Sequence, residues 1–428
     1  MPSRDVLIRG GTVVDETGSR VADVLVKRGR VAAVGRGIDA DGADTLDAGG
    51  CIVAPGLVDL HTHLRQPGRE EAETVETGAR AAALGGFTAV VTMPNTEPPI
   101  DNAGIVAQVL DLGAGACCDV RVAGAITVGR KGERLAPIGE MAALGVKLFT
   151  DDGAGVQDAR LMRRALEYAS VLGVTLAQHC EDASLASGGH MHEGEWSSRL
   201  GIPGLPAEAE ELMVMRDIAL SRMTGAPVHF LHLSTAGSVE LVRRAKAAGV
   251  LVTAEAAPHH FTLTDAEVAG YDPVFKVNPP LRTKSDVAAV KAGLADGTID
   301  AIATDHAPHE QEAKESTFDE APPGMLGLET AVALAISELS LPIDKVLALL
   351  SWQPARIAGL GGDHGGPILE GTAANLCVID PEAVWVVEPE RLASRSRNTP
   401  YAGRKLTGRV RHTLLRGEPV VVDGEARR

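Results

Sequence analysis

Two hydrophobic periods alternate along the middle of the chain. Short apolar runs at 56–63, 88–93, 120–128, 145–150, 174–179, 228–233, 250–256 and 299–304 read as buried strands. Between them, stretches such as 74–84, 158–172, 207–224 and 236–248 repeat their apolar residues every three to four positions, the helical period. A β-then-α repeat sustained over about 300 residues predicts an α/β fold, and the size suits a (β/α)8 TIM-like barrel. A doubly wound sheet is the alternative. Polar residues at the C-terminal ends of many of these strands favour the barrel, whose active sites are built there.

The ends read differently. Val6–Arg9, 12–14, 24–26 and 31–34 are short β segments punctuated by Gly10-Gly11, Gly18 and Gly29, and the last seventy residues look alike. Neither piece buries enough surface alone. Residues 1–55 and 362–428 are therefore expected to pair into one small composite β-sandwich, with the barrel, 56–361, inserted between them.

Charge narrows the range of partners. Lys and Arg number 41 against 57 Asp and Glu, a formal net charge of −16, which argues against nucleic acid as the main partner. No apolar run approaches the roughly 20 residues of a membrane span, and the N-terminus lacks a secretory signal, so no membrane association is expected. Five cysteines without a C-x-x-C pair suggest neither a disulfide framework nor a zinc knuckle. A reduced, cytoplasmic protein is the expectation.

The polar strand ends carry the chemistry. His61 and His63 lie two apart on a strand, so they share a face. His179, His232 and Asp305 end three other strands, and converging imidazoles with a carboxylate make a metal site. On 228–233, alternation groups Val228, Phe230 and His232 and turns His229 toward the helices, as packing or surface. His259 and His260 either line the mouth or form a loop pair.

Several segments together resemble the amidohydrolase superfamily, and within it the bacterial dihydroorotases. They are 56–68 (GLVDLHTHLRQPG), 93–96 (MPNT), 149–153 (FTDDG), 277–282 (VNPPLR) and 304–309 (TDHAPH). Gln66 departs from the Glu of many relatives. The resemblance implies two Zn²⁺ per chain, one held by His61, His63 and Asp305, the other by His179 and His232. A carboxylate bridges them: Asp152, a carboxylated Lys147 or Asp151. It also implies Arg65, Asn95 and His309 on the substrate carboxylate, with His63 beside them, Asn278 on the ring amide, and the backbone of Pro323 and Gly324 on the ring. Residues 306–324 are then a candidate lid.

The activity so implied is reversible closure of N-carbamoyl-L-aspartate to (S)-dihydroorotate in pyrimidine biosynthesis, by a zinc-activated hydroxide with Asp305 as general acid and base. Other cyclic amide hydrolases, such as a hydantoinase, dihydropyrimidinase or allantoinase, are the alternative, but they need no Arg65 for a substrate carboxylate. A third reading is a scaffold for aspartate carbamoyltransferase, and association with that partner is compatible with catalysis. A homodimer is the expected assembly.

Overall fold

The computed structural model describes residues 5–427. Among them, eight parallel strands follow one another around a nearly closed barrel: Leu57–Thr62, Phe87–Thr92, Asp119–Gly124, Leu148–Phe149, Thr175–Gln178, Val228–Phe230, Val252–Ala256 and Ala301–Ile302. A parallel bridge between Thr62 and His306 joins the two ends, and the His63 N–H donates to the His306 carbonyl at 2.8 Å. Each apolar run of the sequence meets one of these strands; six strands lie within their runs, and two begin one residue early, at Phe87 and Asp119. The helical periods become Val75–Leu84, Ala159–Leu172, Glu208–Thr224 and Ala236–Ala247. Local chemistry sets their limits. Thr74 and Thr77 form a capping box, Asp158 accepts from the Leu161 N–H, and Gly173 ends its helix at φ 64°.

Side-chain parity decides which residues reach the barrel mouth. Leu60, Val91, Met93, Ala123, Leu148, Ala177, Leu231, Ala301 and Ala303 pack together in the interior. Their neighbours Val90, Val122, Phe149, Leu176 and Phe230 join the helices in the larger core. On the first strand, Asp59 pairs with Val90 and Thr62 with Thr92, so Leu60 and His61 together stand opposite Val91 alone. That bulge turns both inward and resets the alternation, so His63 points inward too. Strict alternation from Val58 and Leu60 would aim both histidines at the helices.

The sixth strand corrects the expected facing. Its inward residues are His229 and Leu231, while Val228 and Phe230 face the helices. His232 still reaches the mouth because the strand ends at Phe230 and His232 adopts φ 30°, which re-aims its side chain.

Nine further strands form one sheet drawn from both ends of the chain, and Met191–His192 pairs separately with Gly204–Leu205. Ile52–Pro55 pairs antiparallel with Leu376–Val386, from Leu376 opposite Pro55 to Ile379 opposite Ile52. Its core mixes Val6, Ile8, Val24 and Val53 with Leu376, Val378 and Leu414. Among the described residues no helix is long and apolar enough to cross a membrane, and all five cysteines are buried.

Candidate metal centre and substrate pocket

The strand ends bring the histidines and acids to one point. His61 Nε2 lies 3.5 Å from both Asp152 Oδ1 and Asp305 Oδ1. His63 Nε2 lies 3.1 Å from Asp305 Oδ1 and 3.6 Å from Asp152 Oδ2. On the other side, His179 Nδ1 and His232 Nε2 each sit 3.5 Å from Asp152 Oδ1 and 2.9 Å from one another. Two donor groups result, His61–His63–Asp152 and Asp152–His179–His232, all buried and sharing Asp152.

These donors fit metal ions. Most of the nitrogen–oxygen separations exceed the 2.7–3.2 Å of an ordinary N–H···O bond, so the atoms surround a space more than they bond across it. His61 Nε2 and Asp152 Oδ1 are buried without any hydrogen-bond partner. Burial alone would lower imidazole and raise carboxyl pKa values. Opposite charge outweighs it here: Asp152 and Asp305 push His61 well above its ordinary value, and the imidazoles hold Asp152 well below its own. Cations in their midst would meet the same charge demand, and nitrogen and oxygen donors without thiolate suit zinc.

The other two bridge candidates lie elsewhere. Lys147 is exposed, and its stem lies 3.2 Å from the position a Cβ on Gly359 would take, away from the donor cluster. Asp151 is satisfied by the N–H groups of Ile126 and Thr127 and by the Thr127 hydroxyl.

One cavity of about 150 Å³ gathers the rest. His63, Arg65, Asn95, Asp152, His179, His232, Asn278, Asp305, His309, Pro323 and Gly324 all line it, with His61 buried in the floor. Arg65 Nε donates to the Pro308 carbonyl at 3.1 Å, and one of its terminal nitrogens lies 3.3 Å from His309 Nε2. Burial and Arg69 lower the Arg65 pKa only to about 10, so it stays a cation near neutrality. Asn278 Oδ1 and His309 Nδ1 are buried and unpartnered, while Asn95 Oδ1 sits 2.8 Å from His63 Nδ1. Gly324 has φ 146°, and a Cβ there would lie 2.7 Å from His309 Nε2, so only glycine fits. Arg65, His232 and Asp305 all have positive φ, a cost of order 1–3 kcal/mol each that marks functional sites.

Other parts of the site gave the sequence little signal. Asn398, far along the chain, accepts from the His309 N–H at 3.2 Å and donates to the carbonyls of Ala307 and Gly324 at 3.0 and 3.1 Å. Lys314, within the candidate lid, is tucked inside, donating to the carbonyls of Pro273, Lys276 and Pro322. Its burial, with Lys276 nearby, lowers its pKa to about 7. His259 Nε2 is buried and unpartnered 3.9 Å from Asp305 Oδ2, whereas His260 bonds to the Pro279 carbonyl. Glu255 lies beneath His61, where the sequence offered only an apolar strand with one acid in it.

Comparison with known proteins places the chain. Residues 50–238 match the family described as dihydro-orotase-like. Over 425 residues, 98% of this chain and 99% of the relative, it is 51% identical to the dihydroorotase of Pelotomaculum thermopropionicum. The chain belongs to the dihydroorotase family. Another member, from Streptomyces coelicolor, is 50% identical over 426 residues, again 98% of this chain and 99% of the relative. Among solved structures, the L-hydantoinase (dihydropyrimidinase) from Arthrobacter aurescens matches with a TM-score of 0.88 at 25% identity, covering 99% of this chain and 97% of that one. Family and fold together make this a cyclic amide hydrolase on the amidohydrolase barrel.

Proposed function

We propose that the chain is a dihydroorotase that interconverts N-carbamoyl-L-aspartate and (S)-dihydroorotate, with His61, His63, Asp152, His179, His232 and Asp305 as the residues that would hold two zinc ions, Asp152 being common to both donor groups. The observation that carries this is Arg65 in the same cavity as the two donor groups. A hydantoin ring has no carboxylate for a buried guanidinium, whereas dihydroorotate does, and a planar fork meets it bidentately. Once bound, the ions would polarise the ring carbonyl and lower the pKa of a water.

The chain's own groups do the remaining work. Arg65, Asn95 and His309 hold the carboxylate that does not react, beside His63, and the Asn278 side-chain amide meets the ring amide. The backbone of Pro323 and Gly324 bounds the ring. Asp305 accepts the proton released as the water oxygen attacks the ring carbonyl carbon. It returns that proton to the ring nitrogen as the carbon–nitrogen bond breaks. Synthesis runs the same transfers backwards, closing the ring with loss of water.

In this reading the barrel, 56–361, carries the chemistry, and 1–55 with 362–428 support it, Asn398 reaching across to the mouth. A complete donor set supports catalysis by this chain over a scaffold role for a carbamoyltransferase. The test is hydrolysis of dihydroorotate, hydantoin and allantoin by one preparation whose metal content is also measured. Dihydroorotate hydrolysis with two zinc ions per chain is expected. Turnover confined to hydantoin or allantoin would overturn the substrate assignment.

A further inference from the structure

Beneath the donor cluster runs a second line of polar side chains, all on neighbouring strands. Thr253 and Glu255 are two apart on the seventh strand and so share a face, and His229 pairs with Thr253 across the sheet. His229 Nδ1 lies 2.8 Å from the Thr253 hydroxyl, and His229 Nε2 lies 3.0 Å from Glu255 Oε2. The other carboxylate oxygen, Oε1, lies 2.9 Å from His61 Nδ1. His61, His229 and Glu255 are all fully buried. Among the described residues no Lys or Arg forms an ion pair with this carboxylate; its two partners are imidazoles.

Proton accounting gives this line a direction. A carboxylate oxygen only accepts, so His61 carries its hydrogen on Nδ1 and His229 carries one on Nε2. The form of imidazole that binds metal is neutral and has one N–H. His61 Nε2 is therefore bare where it faces Asp152 and Asp305, and it has no partner there. His229 Nδ1 is likewise bare and accepts from the Thr253 hydroxyl. Every hydrogen from Thr253 to His61 is thus assigned, and the far end of the chain is a lone pair aimed at the metal centre.

We propose that Glu255 is a positioning residue that holds His61 in its Nδ1–H form with the Nε2 lone pair presented to metal, and that His229 and Thr253 lock Glu255 in place. The proposal rests on His61 being a metal ligand. Outer partners of this kind commonly change metal affinity 10–100-fold when removed. Glu255 also adds a negative charge under a centre whose ions and bridging groups leave a positive excess, while the mouth stays clear for substrate. The pair His61–His63 was visible in the sequence by its spacing; its support comes from the seventh strand, 194 residues further along the chain.

The decisive variant is Glu255→Gln, which keeps the shape but offers one acceptor and one donor, so it cannot accept from both imidazoles. Zinc affinity, measured by competition with a chelator, is expected to fall 10–100-fold, with Glu255→Asp partly restoring it. Two-bond proton–nitrogen NMR of histidine-labelled, zinc-loaded protein should show the His61 proton on Nδ1 in the parent, and a mixed pattern in the Gln variant. If the Gln variant does not fold, His229→Gln and Thr253→Val take its place, each with a smaller loss of zinc affinity in the same direction. A zinc affinity within twofold of the parent in the variants that fold, or His61 found as Nε2–H in the parent, overturns the proposal. A lower urea midpoint with zinc affinity unchanged does so too. A parent that binds no zinc would instead overturn the metal reading on which this proposal rests.

Discussion

The two ends of the barrel both bury histidine against carboxylate, and they do it in opposite ways. At the closed end, His364 Nδ1 lies 3.0 Å from the Thr88 hydroxyl and His364 Nε2 lies 3.0 Å from Asp119 Oδ2, while Arg416 donates to the other Asp119 oxygen. Both ring nitrogens and both carboxylate oxygens have partners. At the mouth, imidazoles and acids crowd together, yet His61 Nε2, Asp152 Oδ1 and His259 Nε2 have none. A satisfied network of this sort contributes to stability, whereas unmet donors and acceptors mark where a ligand belongs. The same residue types thus separate into structure and function by whether their bonding is complete.

Several experiments would break or sharpen this contrast. Metal removal should have the largest effect. A chelator should abolish dihydroorotate hydrolysis, zinc should restore it, and melting temperature should rise with zinc by mass action, about 2.7 kcal/mol of stabilisation at one hundred times Kd. Asp305→Asn should lower kcat by about 10²–10⁴ and also lower the urea midpoint of the metal-free protein near neutrality, since the His61 and His63 imidazoles overcome burial and hold the Asp305 carboxyl well below the usual carboxylate range. Arg65→Met should cost about 1.5–3 kcal/mol of substrate binding, read as a KM roughly 10–100-fold higher with a smaller change in kcat.

His364→Ala acts at the other end. It should cost about 1–3 kcal/mol of stability by stranding Asp119 and Thr88, with kcat/KM of the folded protein untouched. If it lowers kcat/KM instead, the division between the two ends fails. The smallest effect is one of pH. Burial alone would raise the Asp119 carboxyl, but the His364 hydrogen bond and the His364 and Arg416 charges hold it below the usual carboxylate range. A depressed folded-state pKa adds stability above the unfolded value, about 3.9, and that stability is lost as pH falls through the folded one. Asp119→Asn should therefore be less stable than the parent near neutrality, with the gap in urea midpoint closing below about pH 4.

Much of the fold was legible because the periods of strand and helix differ, and the eight strands survive as predicted runs. The donors were legible because His61, His63, His179, His232 and Asp305 end strands, where polar residues in an apolar run stand out. Facing was harder. The bulge at Leu60–His61 and the positive φ of His232 are backbone events that alternation does not contain, so His229 was assigned to the wrong side. Glu255 and Asn398 escaped for another reason. Each acts on residues distant in sequence, Asn398 on His309 across 89 positions, and a lone Glu in a strand or a lone Asn after Arg397 carries no pattern.

Asn398 also bears on the order in which this enzyme becomes competent. The eight barrel strands and all six proposed ligands lie before residue 306, but the His309 N–H and the carbonyls of Ala307 and Gly324 meet Asn398 only when that residue arrives. A nascent or clipped chain ending before that point would hold its metal donors and lack the clasp that shapes the pocket around substrate. Turnover would then report that synthesis has passed residue 398, well after the donor set itself has been made.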